Sequence, residues 1–166
     1  MLVSVITICF NSEAVIRKTI ESVLAQTWDS IDYQIIDGAS GDRTVAIAEE
    51  YRERFAEKGY SYRILSEPDH GIYDAMNQAV EEAKGEYVFF LNCGDRLFDE
   101  TVLEKVAGKI DRIRNQSGTG NGDGGEDASQ RLIIYGNVQW KEKQSLIVPP
   151  SKITGFTCYR NVPCHQ

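Results

Sequence analysis

Apolar residues along this chain switch repeatedly between short strand-like runs and the three-to-four-residue spacing of amphipathic helices. Alternation of this kind is typical of βα units built around a parallel sheet. The expected strands are Leu2–Cys9, Tyr33–Asp37, Tyr60–Ser66 and Glu86–Leu91. The sequence therefore predicts an α/β fold in which a mostly parallel sheet is flanked by helices.

Each predicted helix starts near a residue type that commonly caps helices. The expected helices run from Ser12 to about Gln26, from Ser40 or Asp42 to about Gly59, from Asp69 and Gly71 to Gly85, and from Asp99 to about Ile113. A helix between consecutive strands is the connection that parallel strands require.

The pattern breaks at residues 115–130, where glycine, serine, asparagine and acidic residues replace the apolar ones. This composition predicts a flexible surface loop. Short strands are expected beyond it, at Arg131–Tyr135, Asn137–Trp140 and Ser145–Val148. With 166 residues, the chain is expected to form a single domain over 1–166.

The composition narrows the classes of function. A formal net charge of −7 argues against a nucleic-acid partner, because phosphate backbones require a basic surface. The four cysteines form no CxxC pair, which favours reduced thiols and a cytoplasmic location. No stretch approaches the ~20 apolar residues of a transmembrane helix, so any work at the inner face of the plasma membrane would be peripheral.

Two acidic residues stand at the ends of predicted strands. Asp37 precedes Gly38 and is placed to accept hydrogen bonds from the N–H groups of a base; the alternative is a turn-forming Asp that bonds its own backbone. Asp95 follows the fourth strand, where its carboxylate is placed to hold a divalent cation; the alternative is a cap for the next helix. Parallel sheets bind ligands at the carboxyl ends of their strands, so both positions suit a nucleotide diphosphate.

The two commonest nucleotide-binding fingerprints are missing. Neither GxGxxG nor GK[ST] follows the first strand, where Thr7, Cys9, Phe10 and Asn11 are placed instead to line a base or ribose pocket. A phosphoacceptor domain would need acidic residues there, and this stretch has none. Further along, Asp74 and Asn77 are three residues apart and share one helix face, either as ligand-binding groups or as solvated surface positions.

Four segments in this order resemble family 2 glycosyltransferases of the GT-A fold: Val5–Asn11, Ile36–Thr44, Ser66–Asn77 and Phe90–Asp95. The resemblance covers about the first hundred residues and is nearest to the bacterial branch that builds exopolysaccharides, capsules and O-antigens. It implies a Rossmann-like nucleotide-diphospho-sugar transferase fold, a UDP-, GDP- or dTDP-sugar donor, and a glycan or lipid-linked acceptor. It also implies a Mg²⁺ or Mn²⁺ ion and inversion at the anomeric carbon.

The resemblance also implies roles for individual residues. It puts Thr7 and Asn11 near the nucleoside, Asp37 on the base, Gly71, Asp74 and Asn77 near the ribose and diphosphate, and Asp95 on the metal ion. The candidate donor site further includes Cys9, Phe10, Ser40, Asp69, Asn92 and Gly94. Asn92 and Gly94 stand where the family often has acids, so the diphosphate is expected to complete the coordination of the metal ion.

The resemblance places the catalytic base of the family beyond the end of this chain. A Cys-His-Gln stretch such as Cys164–Gln166 tends to precede the acceptor-binding part, so that part is expected to be missing. His165 is a candidate base, although a terminal residue is poorly held for that role, and His70 is a second candidate that more often serves as a structural hydrogen-bonder. The alternatives are a nucleotide-sugar-binding module without turnover, and an assembly subunit that self-associates into a homo-oligomer through exposed apolar surface.

Overall fold

The computed structural model describes residues 1–69, 71–117, 138–139 and 146–147. The chain divides into two units, Met1–Gly120 and Asn121–Gln166. Residues 118–130 of the predicted loop, the strand expected at Arg131–Tyr135 and the candidate bases His70 and His165 lie outside the described residues. The single domain over 1–166 stays a prediction.

The first unit contains nine helices and strands among its described residues. They are β1 (Val3–Cys9), α1 (Ile16–Leu24), β2 (Ile31–Asp37), α2 (Thr44–Glu49), α3 (Arg52–Glu57), β3 (Ser61–Ser66), α4 (Ile72–Glu81), β4 (Tyr87–Phe90) and α5 (Val102–Ser117). The four strands form one parallel sheet in the order β3-β2-β1-β4. This architecture confirms the predicted α/β class.

Alternate residues of the two central strands serve opposite faces of the sheet, as the two-residue period of a strand requires. Val5 of β1 and Tyr33 of β2 face the larger apolar cluster, which includes the buried side of α1. Ile6 and Ile36 face a smaller cluster with Ala75 and Ala79 of α4. Burial of each large apolar side chain contributes about 1.5–3 kcal/mol, so the sheet is held firmly from both faces.

A buried polar group interrupts the smaller face. Asp32 of β2 is 2% exposed and accepts hydrogen bonds from the Ser4 hydroxyl at 2.7 Å and the Gln34 amide at 3.1 Å. Burial raises the pKa of the Asp32 carboxyl, but these hydrogen bonds outweigh it and leave the pKa lowered. The Gly85 N–H donates to the same Ser4 hydroxyl at 2.8 Å, which ties the turn between α4 and β4 to β1.

Two helix predictions need correction. Ser12 does not cap α1, because its hydroxyl donates to the Phe10 carbonyl and the helix begins only at Ile16. The single helix expected up to Gly59 is broken into α2 and α3. The Ala48 carbonyl accepts the Tyr62 hydroxyl at 2.9 Å, and this contact with β3 accompanies the break in the helical hydrogen-bond ladder.

Two residues predicted as caps make hydrogen bonds ahead of their helices, although Arg43 occupies the N-cap position of α2 and Asp99 lies three residues before α5. Asp42, rather than Ser40, accepts the N–H of Thr44 at the start of α2 at 2.9 Å. Asp99 accepts the N–H of Thr101 just before α5 at 2.8 Å. The last helix then continues beyond its predicted end to Ser117, so residues 115–117 of the predicted loop are helical.

The described part of the second unit is one antiparallel pair, β5 (Val138–Gln139) and β6 (Leu146–Ile147). It confirms, over two residues each, two of the short strands that the sequence predicts. Within the described parts of both units, no helix has the length and apolar content needed to cross a membrane.

Candidate functional site

The order of the strands places a crevice at one edge of the sheet. From β1 the chain proceeds to β2 and β3 on one side, whereas β4 pairs with the other side of β1. In open α/β sheets, ligands bind beside the carboxyl ends of strands at such a change of direction. The segments that follow β1 and β4, residues 10–12 and 91–95, border this crevice.

Asp37 joins the ends of three strands. Its side chain is completely buried, and one carboxylate oxygen accepts the Ser40 N–H at 2.8 Å and the Ser66 hydroxyl at 2.7 Å. The other oxygen accepts the Ser40 hydroxyl and the Cys9 thiol, the latter at 3.6 Å. A carboxylate has about four acceptor positions, so the protein itself uses all of them. In this geometry Asp37 organises the strand ends.

The loops after β1 and β2 are joined reciprocally. The Asn11 N–H donates to the Ser40 hydroxyl at 2.7 Å, and the Asn11 amide oxygen accepts the Gly41 N–H at 2.9 Å. Asn11 and Ala39 have φ values of 46° and 59°, in the left-handed region. Asn11 and Ser40 therefore come together, and their hydrogen bonds fix the shape of the loops.

Three of the residues proposed at the end of β1 differ in exposure. Thr7 is buried and shares a hydrogen bond with the Tyr33 hydroxyl at 3.1 Å. Cys9 is buried as well, and burial together with the charge of Asp37 raises the pKa of its thiol, which therefore stays protonated. Phe10 is 63% exposed. Of these three, only Phe10 presents its side chain to solvent.

The entrance of α4 lies against the end of β2. Asp69 accepts the N–H of Gly71 at 2.9 Å, and Gly71 has a φ of 114° that suits glycine. A Cβ atom at Gly38 would lie 3.0 Å from the second Asp69 oxygen and 3.5 Å from the Phe10 ring. Asp69 and Phe10 thus both lie over Gly38.

The polar residues of α4 itself follow the predicted helix face. Asp74 and Asn77 are exposed, whereas Ala75 and Ala79 are buried against the sheet. The helix therefore presents its polar side away from the sheet, as the three-residue spacing predicts.

Asp95 is exposed at the end of the turn that follows β4. Its N–H donates to the Asn92 carbonyl at 2.9 Å, and its carbonyl accepts the Thr19 hydroxyl at 2.7 Å. The same Thr19 oxygen accepts the Gly94 N–H at 2.9 Å, and Gly94 has a φ of 97°. The main chain on both sides of the carboxylate is thus held by α1.

Sequence reasoning missed Thr19 and Ser66, which support Asp95 and Asp37. Thr19 occupies a position on the buried side of α1 and Ser66 is the last residue of β3. Neither residue carries a motif, so only the neighbouring strands and helices reveal their role.

The candidate site fits a cation that is coordinated partly by the protein and partly by a bound phosphate ligand. Among the residues that the structure describes, no three His, Cys, Asp or Glu side chains converge as a metal site. Mg²⁺ usually binds one or two carboxylates together with substrate phosphates and water. The exposed carboxylate of Asp95 fits that kind of coordination, and it does not fit a metal site built from protein alone.

Comparison with solved structures identifies the class of fold. TarS residues 1–349 from S. aureus, in complex with UDP-GlcNAc, match with a TM-score of 0.62 and 26% identity, over 69% of this chain and 32% of that one. The mannosyltransferase PcManGT from Pyrobaculum calidifontis, in complex with GDP-Man and Mn²⁺, matches with a TM-score of 0.58 and 21% identity, over 63% and 31%. These matches confirm the GT-A fold.

The family model for glycosyl transferase family 2 matches residues 4–159, and the chain belongs to this family. An uncharacterized glycosyltransferase of Mycobacterium tuberculosis is 41% identical over 112 residues, which are 64% of this chain and 40% of that protein. The putative glycosyltransferase EpsH of Bacillus subtilis is 25% identical over 158 residues, 93% of this chain and 45% of EpsH. The chain thus spans less than half the length of these relatives.

Proposed function

We propose that this chain binds a nucleotide-diphosphate sugar in the crevice between β1 and β4, as part of an inverting, metal-dependent glycosyltransferase. The acceptor is a glycan or a lipid-linked glycan, and the pathway is the synthesis of cell-surface polysaccharide in the cytoplasm, at the inner face of the plasma membrane. The observation that carries the proposal is an exposed carboxylate, Asp95, at the switch point of a family 2 sheet. TarS, matched at 26% identity, was solved with UDP-GlcNAc.

Asp95 would hold the Mg²⁺ or Mn²⁺ ion, which supplies positive charge opposite the departing nucleoside diphosphate. The Thr19 hydroxyl donates to the Asp95 carbonyl and the Asp95 N–H donates to the Asn92 carbonyl, so the main chain of this turn is fixed and the carboxylate is positioned before the ligand arrives. Gly71, Asp74 and Asn77 at the entrance of α4 are assigned to the ribose and diphosphate. None of the described residues is assigned the role of base toward the acceptor hydroxyl.

A nucleotide-sugar-binding module without turnover is the second candidate. It is favoured by one observation: the described residues supply an exposed carboxylate for a nucleotide-bound cation, Asp95, and none of them is assigned as the base. It predicts nucleotide binding without sugar transfer or donor hydrolysis, so an assay for released nucleoside diphosphate separates the two functions. An assembly subunit would instead bind little nucleotide and form an oligomer in solution.

The test is calorimetric titration of the full chain with UDP, GDP and dTDP, each with and without Mn²⁺. We expect one nucleotide to bind in a metal-dependent way, and Asp95→Ala to weaken that binding roughly tenfold or more, because hydrogen bonds and ion contacts to a charged group are worth about 1.5–3 kcal/mol. Asp29→Ala is the matched control, since Asp29 is exposed two residues before β2, at the opposite edge of the sheet. Absence of binding by all three nucleotides would refute the proposal.

A further inference from the structure

We infer that the base of the nucleotide is recognised by Asp69 and Phe10 rather than by Asp37, and that this pair selects bases with a ring N–H donor. The inference rests on the proposed donor site and names the residues that decide its specificity. It departs from the role that the family resemblance implies for Asp37.

The end of β2 offers no carboxylate to a ligand. Asp37 is completely buried, and its oxygens accept donors from Cys9, Ser40 and Ser66. A base that bound Asp37 would have to displace at least one of these donors. It would also have to reach a side chain that is not exposed to solvent. The next residue, Gly38, has no side chain at all.

The space above Gly38 is filled by groups from two other loops. The carboxylate of Asp69 and the ring of Phe10 both lie within contact distance of the point where a Gly38 Cβ would stand, at 3.0 and 3.5 Å. The ring of Phe10 is 63% exposed, although it stands at the ligand-binding edge of the sheet. An exposed aromatic ring beside a carboxylate gives a base both a stacking surface and a hydrogen-bond acceptor.

The orientation of Asp69 is fixed before any ligand binds. One of its oxygens accepts the Gly71 N–H at 2.9 Å, and the other lies toward Gly38 and Phe10. The side chain is half-buried, which strengthens its electrostatic interactions relative to bulk water. The carboxylate can therefore discriminate between bases without first becoming ordered.

A carboxylate only accepts hydrogen bonds. Uracil and thymine offer N3–H and guanine offers N1–H, whereas cytosine and adenine carry a lone pair at the corresponding ring nitrogen. A lone pair that faces the carboxylate is repelled, so Asp69 would reject cytidine and adenosine diphosphates. Stacking on Phe10 accepts every base and contributes affinity without selectivity.

The test compares UDP with CDP and GDP with ADP by calorimetry in the presence of Mn²⁺, with Mn²⁺-pyrophosphate as a probe that has no base. We expect Asp69→Asn to reduce the affinity ratio of UDP over CDP, or of GDP over ADP, whichever pair the chain binds, by about 10- to 100-fold. The reason is that the amide can also donate a hydrogen bond to a ring lone pair. Pyrophosphate binding should stay unchanged. The variant amide can still accept the Gly71 N–H, so the turn should survive.

Matched variants separate base recognition from general charge and surface effects. Glu67→Gln removes a negative charge from an exposed residue of the same segment and should leave the preference unchanged. Phe10→Ala should lower the affinity for both nucleotides of a pair by a similar factor, about tenfold. Phe98→Ala, at a ring that is 77% exposed and follows Leu97, whose N–H donates to Ser22 of α1, should leave the binding of both nucleotides unchanged.

The outcomes distinguish this inference from the proposed function. If the wild-type chain binds a nucleotide and Asp69→Asn keeps the full preference, the assignment of the base to Asp69 is overturned while the donor site stands. Loss of pyrophosphate binding in Asp69→Asn also overturns it, because the residue would then act on the diphosphate. If the wild-type chain binds no nucleoside diphosphate, the proposed function itself fails.

Discussion

Replacement of Asp37 by alanine should destabilise the protein by about 2–4 kcal/mol. The change leaves the Ser40 N–H, the Ser40 hydroxyl and the Ser66 hydroxyl without their acceptor, and hydrogen bonds to charged groups are worth about 1.5–3 kcal/mol each. Ser66 is exposed and Ser40 is half-buried, so their hydroxyls can bond water instead, which keeps the total below the sum of the three bonds. The thiol of Cys9, at 3.6 Å, adds little.

Asparagine at the same position should cost less, about 1–2 kcal/mol. The bonds from the Ser40 N–H and the Ser66 hydroxyl converge on one carboxylate oxygen, which an amide oxygen can replace. The amide nitrogen would then face the Ser40 hydroxyl and the Cys9 sulfur, and both atoms are able to accept a hydrogen bond. The remaining loss is the charge that strengthened these bonds.

Equilibrium urea denaturation of the full chain measures these differences. Asp29→Ala, an exposed aspartate away from the strand ends, should stay within about 0.5 kcal/mol of the wild type. The double variant of Asp37→Ala with Ser66→Ala should lose less than the sum of the single variants, by about 1 kcal/mol, because the two residues share one bond. A loss below 1 kcal/mol for Asp37→Ala, or strict additivity, would refute the role of Asp37 in joining the strands.

Two further predictions concern backbone space and charge. Gly85→Ala should destabilise the protein by at least ~2 kcal/mol in thermal denaturation, because the new Cβ would collide with the Ser4 nitrogen. Gly108→Ala should instead stabilise the protein by up to ~1 kcal/mol, because Gly108 lies in open space on α5. Hydrogen bonds from Thr101 and a nearby lysine lower the pKa of Asp99 to about 2. Its charge therefore stabilises the fold above about pH 4, and the Tm difference from Asp99→Asn should close as the pH falls toward 2.

The sheet was predictable because strand periodicity is local. Each of the four strands was placed within about two residues, since runs such as Ile31–Asp37 need only their own apolar pattern. The break between α2 and α3 was not predictable, because it accompanies a hydrogen bond from Tyr62, 14 residues beyond Ala48. The helical sequence pattern is continuous through the break, and the hydrogen-bond partner found there comes from a later strand.

The sequence predicted which residues of the candidate site lie at strand ends, but not which residues they bond. Sequence pattern placed Asp37 and Asp95 beside the carboxyl edge, because parallel strands all end there. The partners that decide what each carboxylate does are Ser66, 29 residues from Asp37, and Thr19, 76 residues from Asp95. Only the folded chain shows that one carboxylate is enclosed and the other is exposed.

The reciprocal bonds between Asn11, Ser40 and Gly41 have a thermodynamic consequence for ligand binding. They hold Asn11 and Ala39 in a backbone region that non-glycine residues seldom occupy, so the loops are confined before any ligand arrives. A ligand that settles beside these loops therefore loses little conformational entropy in the protein. Ala39→Gly would relieve the backbone strain at this residue and let the free loop occupy more conformations. A ligand that orders the loop would then cost the protein more conformational entropy.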